Sequence, residues 1–190
     1  RTTLTACQTI EDTELGALFM DRDGSVRFQS RGTISSLATQ TAVNFSDDGT
    51  GIQYQGIDVA LDDQELSNYV TVQAHSGTAQ TAQDATSIAD YFTRALTRTE
   101  LLMRTNAAAL AQANSILAYR KTPRIRVDSI DLDLSSDSAR VQPALDLDFG
   151  DPIYVTRTQS SAAGNQVTLR VTVQGVDHDI RPDRWITRLY

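Results

Sequence analysis

A chain of 190 residues that is 40% apolar and 22% charged has enough apolar surface for one large or two small cores, which excludes disorder as its general state. A net charge of −7 excludes a protein that grips nucleic acid through a cationic face, because phosphate binding needs lysines and arginines that release counterions. The single cysteine, Cys7, excludes an internal disulfide and a thiolate zinc cluster, and no apolar run reaches the ~20 residues that a membrane-spanning helix needs. The chain opens on Arg1 rather than methionine, and a fragment or trimmed product is the expectation.

In chain order, Thr3 to Leu15 sets Leu4, Cys7, Ile10 and Glu11 at helical spacing and predicts a short amphipathic helix. Cys7 then lies on its apolar face, as a small buried hydrophobe rather than a nucleophile. Asp21-Arg22-Asp23-Gly24 sits between two apolar runs, a hairpin signal. The same letters begin a calcium loop, but Val26 and Phe28 follow where oxygen ligands are needed, so the hairpin is preferred. Gly32 to Thr41 reads as a polar connector, Ala42 to Phe45 as a short strand, and Ser46 to Gly49 as a turn. Ile52 to Leu61 reads as one strand with a bulge at Gly56, turning through Asp62 to Glu65 into a partner strand from Asn68 to Ala74 with Val70 and Val72 inward. A solvated turn is preferred over a cation site for those acids.

Ser76 to Gln83 is small and polar, a loop or β-arm. Asp84 to Phe92 predicts a short helix with Ile88, Tyr91 and Phe92 on one side. The strongest local signal follows. Residues 105–121 are rich in alanine and leucine, with Ala109, Leu110, Ala113, Ile116 and Leu117 at helical spacing, Thr105 as N-cap, and Arg120, Lys121 and Pro123 at the end. This is the one substantial helix expected. The strand from Arg124 to Ser135 switches its apolar face near Asp128 and Ser129, by a bulge or by passing between two packing layers. Asp137 to Leu147 adds a turn of helix, Ile153 to Thr158 a strand, and residues 160–165 a loop. Val167, Leu169, Val171 and Val173 alternate cleanly with polar residues, Val176 to Ile180 continues an edge, and Trp185, Thr187 and Leu189 share one face of a last strand.

The expected fold class is α+β, mainly β: antiparallel barrel or sandwich modules with the helix of residues 105–121 packed against them. The expected organisation is a β-rich part over 1–75, a connector over 76–103, and a helix plus barrel over 104–190, the whole being read alternatively as one continuous domain.

Chemistry is sparse. Asp177-His178-Asp179 has the letters of a base beside its orienting acid, but strand neighbours point to opposite faces. His75 stands beside Ser76 without a nucleophile-elbow motif, and no glycine-rich phosphate loop occurs. Asp131 and Asp133 share a strand face, with Asp128, Asp146, Asp148 and Asp151 near in sequence. That is the best enzyme-like constellation, yet a solvated acidic surface is preferred because no histidine accompanies it. No catalytic, cofactor or metal residue is assigned, and an enzyme is not expected.

Three stretches taken in order carry a resemblance: ELGALFMDRDGSVRFQSR; the run from Asn68 through Tyr91 and the helix to PRIRVDSIDLDL; and GDPIYVTRT followed by VQGVDHDIRPDRWITRLY. Together they resemble the minor tail, or tail-tip (baseplate) hub, proteins of long-tailed bacteriophages of actinobacteria. One lysine against sixteen arginines fits a GC-rich host. The resemblance implies a virion structural protein at the tail tip, assembled in the host cytoplasm, that forms a ring of its own copies, with a trimer favoured. It implies tail-tube, distal-tail, tape-measure and other tip proteins as partners, DNA only in passage, no membrane span and no cofactor. Two readings compete. A carbohydrate- or receptor-binding domain of the same tip needs clustered exposed aromatics, whereas Tyr54, Tyr69 and Tyr154 are scattered; a metal-dependent hydrolase would use the aspartates above.

Overall fold

The computed structural model describes residues 2–159 and 165–190. Helix α1 (Thr3–Glu14) leads into a hairpin of β1 (Ala17–Met20) and β2 (Val26–Gln29), then α2 (Arg31–Leu37), β3 (Val43–Ser46), β4 (Ile52–Gln53), β5 (Gly56–Asp62), β6 (Tyr69–Ala74) and β7 (Gln80–Gln83). Next come α3 (Ala85–Tyr91), β8 (Ala95–Leu101), α4 (Asn106–Arg120) and β9 (Arg124–Asp133). A 3-10 turn (Ser138–Arg140), α5 (Val141–Asp146), β10 (Pro152–Thr158), β11 (Gln166–Thr172), β12 (Val176–Arg181) and β13 (Arg184–Leu189) complete the chain. The expected α+β, mainly β class holds. The chain divides into two compact units that interleave in sequence, unit 1 from 1–32 and 61–124 and unit 2 from 33–60 and 125–190. The expected boundaries near 75 and 103 both fall inside unit 1.

Unit 1 is built on α4 and a three-stranded sheet ordered β7-β6-β8. Alanine and leucine favour the helix, and the Thr105 hydroxyl accepts from Ala108 N at 3.1 Å to cap it. Ala109, Gln112, Ala113, Ile116 and Leu117 form its buried stripe, at the i, i+3, i+4, i+7 spacing of one helix face. Ala109 and Ala113 are fully buried, which brings the helix backbone close to the sheet residues Val70, Val72 and Ala82. Leu110, expected on that face, is 39% exposed.

Helix α1 has 12 residues but buries none, with Leu4 and Ile10 exposed and Cys7 half-buried, so α4 is not the only substantial helix and α1 lacks the expected buried face. Its Asp12 carbonyl accepts from Gln112 Nε2 at 2.9 Å, which ties it to α4. The β1–β2 hairpin forms as the sequence predicts, with Gly24 at φ +82, a conformation that suits glycine. The strand Asn68–Ala74 does not pair with the strand before it. Its partners are β7, antiparallel, and β8, parallel, while β5 joins a sheet of unit 2. Ser76 to Gln83 therefore contributes the strand β7, and residues 95–101 of the expected connector form the strand β8.

Unit 2 contains two four-stranded sheets, ordered β11-β10-β3-β4 and β12-β13-β9-β5. Their inner faces share one core around Phe45, Ile130, Leu132, Leu134, Ile153, Val155, Val173 and Leu189. The sheets are open rather than closed into a barrel, which leaves the sandwich of the two expected forms, and β3 pairs in parallel with β10 and β4. The single strand expected over 52–61 is two strands in different sheets, so the change of apolar side at Gly56 is a change of sheet. Residues 32–41, expected as a connector, include most of α2. Val127 packs against the same core as Ile130, which strict two-residue alternation does not allow. The face switch in β9 is thus a break in alternation around one core, not passage between two layers. Strands β11 and β13 keep their expected faces, with Val173, Thr187 and Leu189 buried. Most of the loop expected over 160–165 lies outside the described residues.

Candidate interaction surface

The chemistry-bearing residues singled out in the sequence are spent on local structure. His178 Nδ1 lies 2.7 Å from Thr187 Oγ1 on the neighbouring strand, and its ring meets Trp185 edge-on at 6.1 Å. Asp179 accepts from Arg181 at 3.0 Å and Arg184 at 2.8 Å instead of orienting that ring. His75 Nδ1 lies 2.5 Å from Glu100 Oε2 on an exposed surface. Asp131 holds Arg188 through two bonds of 2.6 and 3.0 Å, Asp128 pairs with Arg126, and Asp133 accepts from Ser135. Asp146 accepts from Gln142 Nε2, while Asp148 and Asp151 accept from backbone amides of their own turn. The acids of the first hairpin turn serve the hairpin: Asp21 pairs with Arg27, and Asp23 accepts from Ser25. Among the described residues no group of three His, Cys, Asp or Glu side chains converges as a metal site. Tyr54 and Tyr154 hydrogen-bond within unit 2, to Thr156 O and to Arg170, and Tyr69 belongs to unit 1.

The Asp131–Arg188 pair bridges β9 and β13, and the Arg188 hydrogen bonds hold the Asp131 carboxyl below the usual carboxylate range. Asp84, Asp133 and Asp179 are lowered too, by backbone and side-chain donors. A carboxyl whose folded value lies below its unfolded value of about 3.9 stabilises the fold above that value, and the stabilisation is lost as pH falls through the folded value. The melting temperature is therefore expected to stay level from pH 7 to about pH 5 and to fall steeply below about pH 4, and Asp131→Asn should make that acid limb shallower. Calorimetric melts across pH 2.5–7 (a chosen buffer range, roughly spanning the carboxylate titration) check this. An acid limb identical in the variant contradicts the assignment to Asp131.

A second arrangement in unit 1 has no counterpart in the sequence signals. Asn68 is fully buried at the start of β6. Its Nδ2 donates to Phe92 O at 2.7 Å and to Ser87 Oγ at 3.2 Å, and its Oδ1 accepts from Arg94 N at 2.7 Å. Ser87 Oγ donates onward to Lys121 O at 2.5 Å, and Lys121 Nζ donates at 2.9 Å to Asp84, the N-cap of α3. Every member faces a partner, the condition under which a buried polar network rigidifies its surroundings.

This clamp fixes Phe92 at φ 61, ψ 174, a region used almost only by glycine, at a cost on the order of 1–3 kcal/mol. Phe92 is not the last apolar residue of a helix face, as expected, but the C-cap of α3, and it is 83% exposed beside the 36% exposed Tyr91. Asp90 stands next to them, exposed and without an ion pair among the described residues. A strained, clamped and exposed aromatic has the properties of an anchor for a partner.

Unit 2 carries a groove of about 580 Å³ walled by Ile57 and Val59 of β5, Ile125 and Val127 of β9, and Leu169 of β11. This is within the ~300–1,000 Å³ range of binding pockets. Asp47, Arg157, Thr158 and Gln159 form its polar wall. Thr158 occupies the Asp47 carboxylate, donating from N at 3.0 and 2.8 Å and from Oγ1 at 2.9 Å. Arg157 is exposed, and its side chain has no hydrogen bond or ion pair among the described residues. The groove collects residues from four strands far apart in sequence, so no single motif marks it.

No family model matches the sequence, and neither does any curated protein. Solved structures do match. The 43 kDa tail protein of prophage MuSo2 from Shewanella oneidensis superposes with a TM-score of 0.54 at 9% identity, over 92% of this chain and 49% of that one. The tail protein from Neisseria meningitidis MC58 gives 0.55 at 14% identity, over 100% of this chain and 53% of that one. Prophage tail protein gp18 from Listeria monocytogenes EGD-e gives 0.50 at 11% identity, over 100% and 52%. The chain spans about half the length of each of these structures, and its fold is similar to the fold found in these phage tail proteins.

Proposed function

We propose that this chain is a structural part of a bacteriophage tail, located at the tip or baseplate hub, where it joins the tail tube to the tip. The observation that carries the reading is the fold shared over 92–100% of the chain with three tail proteins from three different bacteria. The copies form a ring, with a trimer favoured, and tail-tube, tape-measure and other tip proteins are its neighbours. The preference for arginine over lysine supports a long-tailed phage of an actinobacterial host.

Charge supports a channel role. Unit 2 holds thirteen acidic residues against seven arginines, while unit 1 is close to balance with eleven acids against ten basic residues. An acidic wall repels the phosphate backbone, so DNA passes without adhering. In this reading the acid-rich unit faces the channel, DNA is a transient neighbour rather than a ligand, and no catalysis is involved. Native mass spectrometry of the full chain, combined with antibody labelling of intact particles, tests the proposal. Discrete oligomers and label at the tail tip are expected. A chain that stays monomeric at every concentration undoes the ring, and label on the capsid or along the whole tube undoes the tip location.

A further inference from the structure

We propose that Phe92 is the anchor of a head-to-tail contact between copies, seated in the aliphatic groove of unit 2 on the next copy with Asp90 opposite Arg157. The inference rests on the ring reading above and names the surfaces that would build it. Phe92 is 83% exposed in a backbone conformation that its own side chain disfavours, and the buried Asn68 amide pins the carbonyl of Phe92 and the amide of Arg94 on either side of the bend. An aromatic presented this way loses little conformational freedom on docking, which is what makes aromatic residues the dominant contributors at interfaces.

The groove supplies the complement. Its wall of Ile57, Val59, Ile125, Val127 and Leu169 is aliphatic, and Ile125 is 42% exposed within it. Charge sets the pairing: Arg157 is an unpaired cation at the groove, and Asp90 is an unpaired anion two residues before the ring, both among the described residues. Arg157 also suits the face of an aromatic ring, by cation–π attraction. Anchor and groove are different surfaces of one chain, so the contact is heterologous, and repeating it generates a closed ring or an open helix.

Sedimentation velocity of the full chain over a concentration series is the test, with thermal melts alongside. Phe92→Gly is expected to weaken association about 30-fold or more, the scale of an interface hot spot. It should also raise the melting temperature by about 2–4 °C, because glycine accepts the backbone conformation that phenylalanine resists. A residue with a purely structural role would not move the two readouts in opposite directions. Asp90→Arg and Arg157→Asp should each weaken association several-fold and restore it when combined. Ile125→Trp should block the groove. A chain that associates normally with Phe92→Gly, or a charge reversal that the double variant does not rescue, overturns this contact and leaves the ring standing. A wild-type chain that never associates overturns the ring reading and this contact together.

Discussion

Leu117→Pro is expected to destabilise unit 1 by about 5 kcal/mol or more. Proline in a helix interior removes a backbone hydrogen bond and collides with the preceding turn, which costs about 3 kcal/mol. Truncating a buried leucine adds about 2–5 kcal/mol. Leu117 is 9% exposed in the cluster that α4 forms with Val70, Val72, Ala82 and Leu101, and its carbonyl accepts from Lys121 N at 3.0 Å to close the last turn. Lys121 in turn donates to Asp84, so the break spreads to the cap of α3. Since domains are stable by about 5–15 kcal/mol, the variant should lose helical circular dichroism and fail to assemble. Leu110→Ala, on the exposed side of the same helix, is the control and should stay within about 1 kcal/mol of wild type. Urea unfolding followed by circular dichroism measures both, and a Leu117→Pro midpoint close to wild type would remove α4 from its place at the centre of unit 1.

The contrast between these two leucines also marks how far sequence carries. Helix α4 was legible because its cap, its composition and its stop signals lie within nineteen consecutive residues, Thr105 to Pro123, and the hairpin at Gly24 and the faces of β11 and β13 were legible for the same reason. Which strands pair was not. Asn68–Ala74 and the strand before it look like two arms of one hairpin, yet β6 pairs with β7 and β8, because the choice among partners is made by packing against α4 rather than by the turn at 62–65. The interleaving of the units has the same origin, since every crossing between them depends on such long-range choices. Phe92 shows the limit most clearly. Its spacing from Ile88 continues a helix face, whereas in the fold its carbonyl accepts from a side chain 24 residues away, the helix stops at Tyr91 and the ring is exposed. A buried asparagine has no periodic signature, and Asn68 reads as no more than the first residue of the strand that runs to Ala74.

The capture by Asn68 makes the second large prediction. Asn68→Leu keeps the branching of the side chain, though it is larger, and strips partners from Phe92 O and Arg94 N; each group left unsatisfied costs about 1–3 kcal/mol, so a loss of about 2–6 kcal/mol is expected. Ser87 keeps its bond to Lys121 O, so α3 should remain attached at that end while the bend at 92–94 is released. Asn68→Asp separates the two contributions. It retains an acceptor for Arg94 N, offers no donor to Phe92 O, and adds a charge at a fully buried position, so it should be at least as damaging as leucine. Hydrogen exchange at the Arg94 amide reads the release directly and should accelerate in Asn68→Leu beyond what the lower global stability accounts for. Adding Phe92→Gly to Asn68→Leu should recover little, because the conformation that the clamp enforces is already free to relax. Full recovery, or an Arg94 amide as protected as in wild type, would mean that the bend is held by its own backbone and that Asn68 only fills space.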